Sequence, residues 1–241
     1  MFSVGRSVPV VLASAVLIGP ASAQPAAAPP AAGERYYMTL FGTQSALYRT
    51  SHTHTWATFV RTAVTPTGEV PVAVDTVSWM PATLDIHPLR LRREPGVNLT
   101  LGQTLDWVAS FNGKVSAWGP YEIDADRYSR FIARKNELES GAIEYRAIGA
   151  LTRRGEVSNC GQSFARSSPI VGRRYLQPTP SPGENGTSKL AQRYLKVGAL
   201  ADDGATHPWL LPVMGADRYP ITLRQPGERI PYSGRLSFWE Q

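Results

Sequence analysis

Cysteine is almost absent from this chain. Cys160 is the only one, so no intramolecular disulfide can brace the fold. Long apolar runs are missing too: Val8 to Ile18 is the longest, and a membrane helix needs about 20 residues. Charged residues make up only 18% of the chain. They form no long run of one sign, which argues against an acidic or basic tail. Arg90, Arg92 and Arg93, then Arg153 and Arg154, then Arg173 and Arg174 are small clusters without interleaved aromatics, so no nucleic-acid interface is expected. There is no phosphate loop, no dinucleotide fingerprint and no internal repeat. The composition calls for no cofactor and no metal.

What remains is a 241-residue chain with 42% hydrophobic and 10% aromatic residues and a net charge of +6. Residues 1–23 read as a signal peptide: Arg6 supplies the basic start, Val8 to Ile18 the apolar core and Ala21-Ser22-Ala23 the small-residue cleavage site. Export to a bacterial periplasm or medium is the expectation. Residues 24–33 form an Ala/Pro-rich linker with nothing to pack. Residues 34–241 are long enough for one domain with a sizeable core.

Within that domain, Arg35 to Phe41 has strand composition, and so does His52 to Arg61. A period of two puts His52, His54, Trp56, Thr58 and Val60 on one face. A turn at Pro66 to Val70 leads into a second strand, Val72 to Met80, closing a hairpin. Thr83 to Arg92 reads as an extended edge piece. Thr100 and Gln103 form a capping box for a helix from Leu101 to Phe111. Val115 to Ile123, with Trp118-Gly119-Pro120, reads as a turn-rich connection. Asp124 or Asp126 starts a second helix to about Ser140, and Ala142 to Ile148 reads as a strand. Gln177 to Gly186 is a loop by composition, followed by a helix from Thr187 or Ser188 to Val197. From about residue 177 the chain is a proline-rich extension with aromatic anchors such as Trp209 and Tyr219. Strands first and helices later predict an α+β fold.

The chemistry centres on Ser158-Asn159-Cys160-Gly161-Gln162-Ser163. A thiol in a first helical turn, behind an Asn or Ser cap, feels the positive end of the helix dipole. A histidine strand lies upstream. This arrangement, with His54-Thr55-Trp56 early and Asn159-Cys160 late, resembles the permuted NlpC/P60 group. That group belongs to the papain-like cysteine hydrolases and includes lecithin-retinol-acyltransferase-like proteins. The resemblance spans roughly residues 35–166 and implies an antiparallel sheet packed on helices. It also implies a Cys160 nucleophile, His54 as base and an orienting residue on the next strand.

Asp75 is the choice for that third position, with Asp85 and His87 behind it. His52 lies about 7 Å from His54 along a strand and is the alternative base. Asn159 or Gln162 would join the Cys160 N–H at the oxyanion. The reaction so implied is attack by thiolate on an amide or ester carbonyl, and in an exported bacterial protein peptidoglycan peptides are the natural amide. The alternative is a catalytically inactive envelope binding or scaffold module of the same fold. It gains weight because Gly161-Gln162-Ser163 stands where the acyltransferase branch carries Glu-His-Phe. A third reading is zinc held by His52, His54, His87 and Asp75. Asn98-Leu99-Thr100 and Asn185-Gly186-Thr187 fit the N-glycosylation pattern, which a bacterium leaves idle.

Overall fold

The computed structural model describes residues 33–44, 50–88, 90–147, 157–168 and 183–231. The expected signal peptide, linker and most of the 177–186 loop lie outside these residues. The architecture is mixed α+β, with two mainly antiparallel sheets packed against helices.

The larger sheet has five strands. Strand β1 (Glu34–Gln44) is central, because its residues are nearly all buried. It pairs antiparallel with β2 (His54–Thr65), which pairs with β3 (Gly68–Val77) through a tight hairpin. On its other side β1 pairs with β6 (Lys114–Ile123). A short strand near the C-terminus, β9 (Ile221–Leu223), closes that edge in parallel, giving the order β3-β2-β1-β6-β9. The smaller sheet runs β4 (Trp79–Pro81), β5 (Glu94–Asn98), β7 (Glu144–Tyr145), β8 (Val157–Ser158).

Three expectations are corrected. Val115 to Ile123 is not a turn but most of β6, a strand inside the sheet. Proline ordinarily marks an edge or a break. Here the pairing with β1 jumps from Met38↔Tyr121 to Leu40↔Trp118, so a bulge takes Gly119 and Pro120 out of the ladder. His52 is not on the histidine strand. It ends a single 3-10 turn, Thr50–His52, and β2 begins at His54. The two histidines therefore do not alternate along one strand. Residues 83–88 and 90–92 form a turn rather than a strand, with Leu84 at φ 59°.

Helix α1 (Leu101–Ser110) is where the capping box put it. Thr100 Oγ1 accepts from the Gln103 N–H, and Gln103 Oε1 accepts from the Thr100 N–H. Asp124 caps α2 (Ala125–Glu139). Helix α3 (Cys160–Ala165) is short, and α4 (Glu184–Lys196) starts three residues earlier than its sequence suggests. A final short helix, α5 (Leu210–Val213), lies in the proline-rich segment.

The sheet has two buried faces. On one, Met38, Leu40, Ala57 and Phe59 meet Phe131 of α2, Phe164 of α3 and Leu190 and Tyr194 of α4. On the other, Phe41 and Trp56 meet Leu101, Leu105 and Val108 of α1. Helix α4 sits so close that a Cβ on Gly42 would lie 2.5 Å from Thr187 Oγ1, so only glycine fits there. The proline-rich segment is not a loose extension, since Leu210, Ala216 and Ile230 are buried and β9 joins the sheet. Among the described residues no helix is long and apolar enough to cross a membrane.

Candidate functional site

Asn159 caps α3, its Oδ1 accepting from the Gln162 N–H, and Asn159 Nδ2 donates to the Ala147 carbonyl. That cap fixes Cys160 as the first helical residue. The backbone N–H groups of Thr55, Gly161 and Cys160 itself face its sulfur. Burial pushes the thiol's pKa up, and those three N–H groups offset only part of the rise.

His54 points the other way. Residues alternate along β2, so Thr55 meets Thr187 of α4 and Ala57 and Phe59 pack on the same side, while His54 and Trp56 face α1. The imidazole stacks on Trp56 at 5.3 Å and meets the Trp107 edge at 5.8 Å. It is 1% exposed. Nε2 lies 2.9 Å from Ser78 Oγ, which accepts in turn from Thr104 Oγ1 at 2.8 Å. Nδ1 has no hydrogen-bond partner among the described residues. Burial lowers the pKa of His54 to about 3, so the ring is neutral at physiological pH.

The remaining sequence candidates scatter. Asp75 sits on β3 opposite Phe59, five residues along β2 from His54. It accepts from the Tyr128 hydroxyl at 3.1 Å and lies 3.6 Å from Lys135 Nζ. Asp85 and His87 pair with each other at 3.0 Å. His52 stacks on Phe111 at 4.3 Å. Cys160, His54 and Asp75 therefore each have other neighbours, and the described contacts join no two of them. The zinc set of His52, His54, His87 and Asp75 is dispersed in the same way.

A cleft of about 350 Å³ opens elsewhere, at the β3 edge beside the start of α1. Asp75, Asn98, Lys135, Glu139 and Met214 line it. Lys135 bridges Asp75 and Glu139, so the cleft carries both signs of charge.

One polar group escaped the sequence reading. Glu184, in the first turn of α4, is 2% exposed. Ser116 Oγ donates to its Oε1, and Arg224 Nε donates to Ser116 Oγ at 3.3 Å. Its Oε2 has no hydrogen-bond partner among the described residues. Burial raises the Glu184 pKa, while the Ser116 hydrogen bond and the Arg224 charge act against it. The residue lies in Gln177 to Gly186, a stretch whose prolines and glycines read as loop, so no periodicity marked it.

No family model matches the chain, and no curated protein and no solved structure is significantly similar to it. The class that fold and contacts define is a mixed α+β protein with a half-buried thiol at a helix start.

Proposed function

We propose that this protein is an exported, papain-like binding module of the bacterial envelope whose cysteine and histidine serve structure rather than hydrolysis. One observation carries the reading. The His54 imidazole is committed to Ser78 against α1, while the Cys160 sulfur faces the backbone N–H groups of Thr55, Gly161 and Cys160 itself. A thiol nucleophile needs a base within hydrogen-bond reach, about 2.6–3.2 Å. The net charge of +6 favours anionic envelope polymers as the partner.

Alkylation and cosedimentation test this together. Native protein is expected to react with iodoacetamide more slowly at pH 7.5 than after unfolding in urea, and His54→Gln is expected to leave the native rate unchanged. The protein should sediment with purified peptidoglycan carrying its anionic polymers at 50 mM salt and release at 500 mM, without cutting it. Failure to sediment at 50 mM salt would remove the binding role.

A second reading, a thiol-dependent amidase of peptidoglycan peptides, is favoured by a different observation. Three backbone N–H groups converge on Cys160 at a helix start, a set suited to a thiolate or an oxyanion. Fast alkylation below pH 8 that slows in His54→Gln supports it. So does release of peptides by wild type but not by Cys160→Ala.

A further inference from the structure

We propose that Glu122, Asp202 and His207 bind one divalent transition-metal cation, with zinc as the reference ion, and that this ion clips the segment after α4 to the end of β6. The three side chains come from two parts of the chain. Glu122 is the penultimate residue of β6. Asp202 and His207 lie in the connection between α4 and α5. One imidazole nitrogen and one oxygen from each carboxylate lie within 4.8 Å of one another.

The donor chemistry points to a metal of a particular kind. An imidazole with two carboxylates suits zinc and its neighbours better than calcium or magnesium, which favour all-oxygen shells. A tetrahedral ion with ~2.1 Å bonds holds its ligand atoms about 3.4 Å apart. His207 Nε2 and Asp202 Oδ2 are 2.7 Å apart and would open slightly. Glu122 would close in by a side-chain rotation.

Two further features fit. The second oxygen of Asp202, Oδ1, is buried and has no hydrogen-bond partner among the described residues. An orphaned buried carboxylate oxygen is costly, and a cation satisfies it. The backbone around the ligands is fixed from both sides. The Ala201 N–H donates to the Glu122 carbonyl at 2.8 Å, and the His207 N–H donates to the Pro120 carbonyl at 2.9 Å. Asp203 at φ 53° and Gly204 at φ 87° turn the chain so that Asp202 and His207 face each other again. The Tyr37 ring packs on the His207 ring at 4.9 Å, restricting its rotation. Three protein ligands leave a fourth position for water.

Arg35 is the competitor. Its Nη1 lies 3.9 Å from Glu122 Oε2, but only 3.0 Å from Glu69 Oε1. Glu69 therefore keeps the guanidinium occupied while Glu122 turns to a metal.

The test uses the full chain, stripped with EDTA and titrated with zinc against a chromophoric chelator. One zinc per chain is expected, with binding at least tenfold weaker in Asp202→Asn and His207→Gln. Cys160→Ser and His87→Gln should bind as wild type does. At free zinc about 100-fold above Kd, Tm should rise by roughly 5–10 °C. No zinc uptake overturns the proposal, and so does uptake that Asp202→Asn and His207→Gln leave unchanged. Should His207→Gln fail to fold, Glu122→Gln carries the same comparison, because the amide has the shape of the half-buried carboxylate it replaces.

Discussion

Lowering the pH from 6.5 to 3 is expected to remove on the order of 4 kcal/mol of stability through His54 alone. Burial lowers the folded-state pKa of this imidazole from about 6.5 to about 3. In the unfolded chain the ring regains its ordinary proton affinity. Between those two values the unfolded state therefore binds one more proton than the folded state. The neutral ring is fully tolerated above pH 6.5, and stability falls as pH drops toward 3. The slope is about 1.4 kcal/mol per pH unit. Carboxylates contribute to acid unfolding too, so the informative quantity is a difference. His54→Gln can keep the hydrogen bond to Ser78 and cannot titrate. Urea midpoints at pH 7, 6, 5 and 4 should fall faster for wild type than for His54→Gln. Parallel curves would mean that the imidazole is not sealed from water. That result would also reopen His54 as a base for Cys160.

The second large effect is expected at the opposite face of the sheet. Phe131→Ala should cost about 3–5 kcal/mol. Phe131 is fully buried on α2, and its ring lies 4.0 Å from that of Phe59 on β2. Truncation opens a cavity between a strand and a helix that are both fixed by other contacts, so the site cannot collapse. Domains of this size are stable by about 5–15 kcal/mol, so one side chain accounts for a large share. The urea midpoint should drop sharply with the m-value unchanged. A loss under 1 kcal/mol would show that α2 is not anchored here. The two experiments sort the faces independently, because one perturbs the α1 side and the other the α2 side.

Local signals were legible wherever the chemistry was local. Thr100 and Gln103 announced α1, while of the paired candidates Asp124 or Asp126 and Ser158 or Asn159 the structure uses Asp124 for α2 and Asn159 for α3, because a cap is made within one turn. The hairpin of β2 and β3 followed from strand-forming residues around the expected Pro66 to Val70 turn, though β3 already begins at Gly68 and ends at Val77. Signals that depend on distant neighbours misled. Gly119-Pro120 reads as a break, yet β1 pairs with the residues before and after it and β9 with Val115 to Ala117, so the strand runs through the bulge. The prolines after residue 177 hid the start of α4 and the strand β9, since composition cannot register what a segment packs against. The candidate site divides the same way. The cap that puts Cys160 at a helix start could be read. The partner of each histidine could not. Asp202 and His207 carry no motif with Glu122, because nearly eighty residues and a sheet edge separate them in sequence.

Sequence alone was enough to show one thiol and no intramolecular disulfide, a thiol at a helix start and a mixture of strands and helices of the α+β kind. Those follow from counting and from contacts within a few residues. Tertiary structure alone decided which face of β2 each residue occupies. Side chains alternate along a strand, so Thr55 and His54 part company by one residue, and packing of α1 and α3 on opposite sides fixes the outcome.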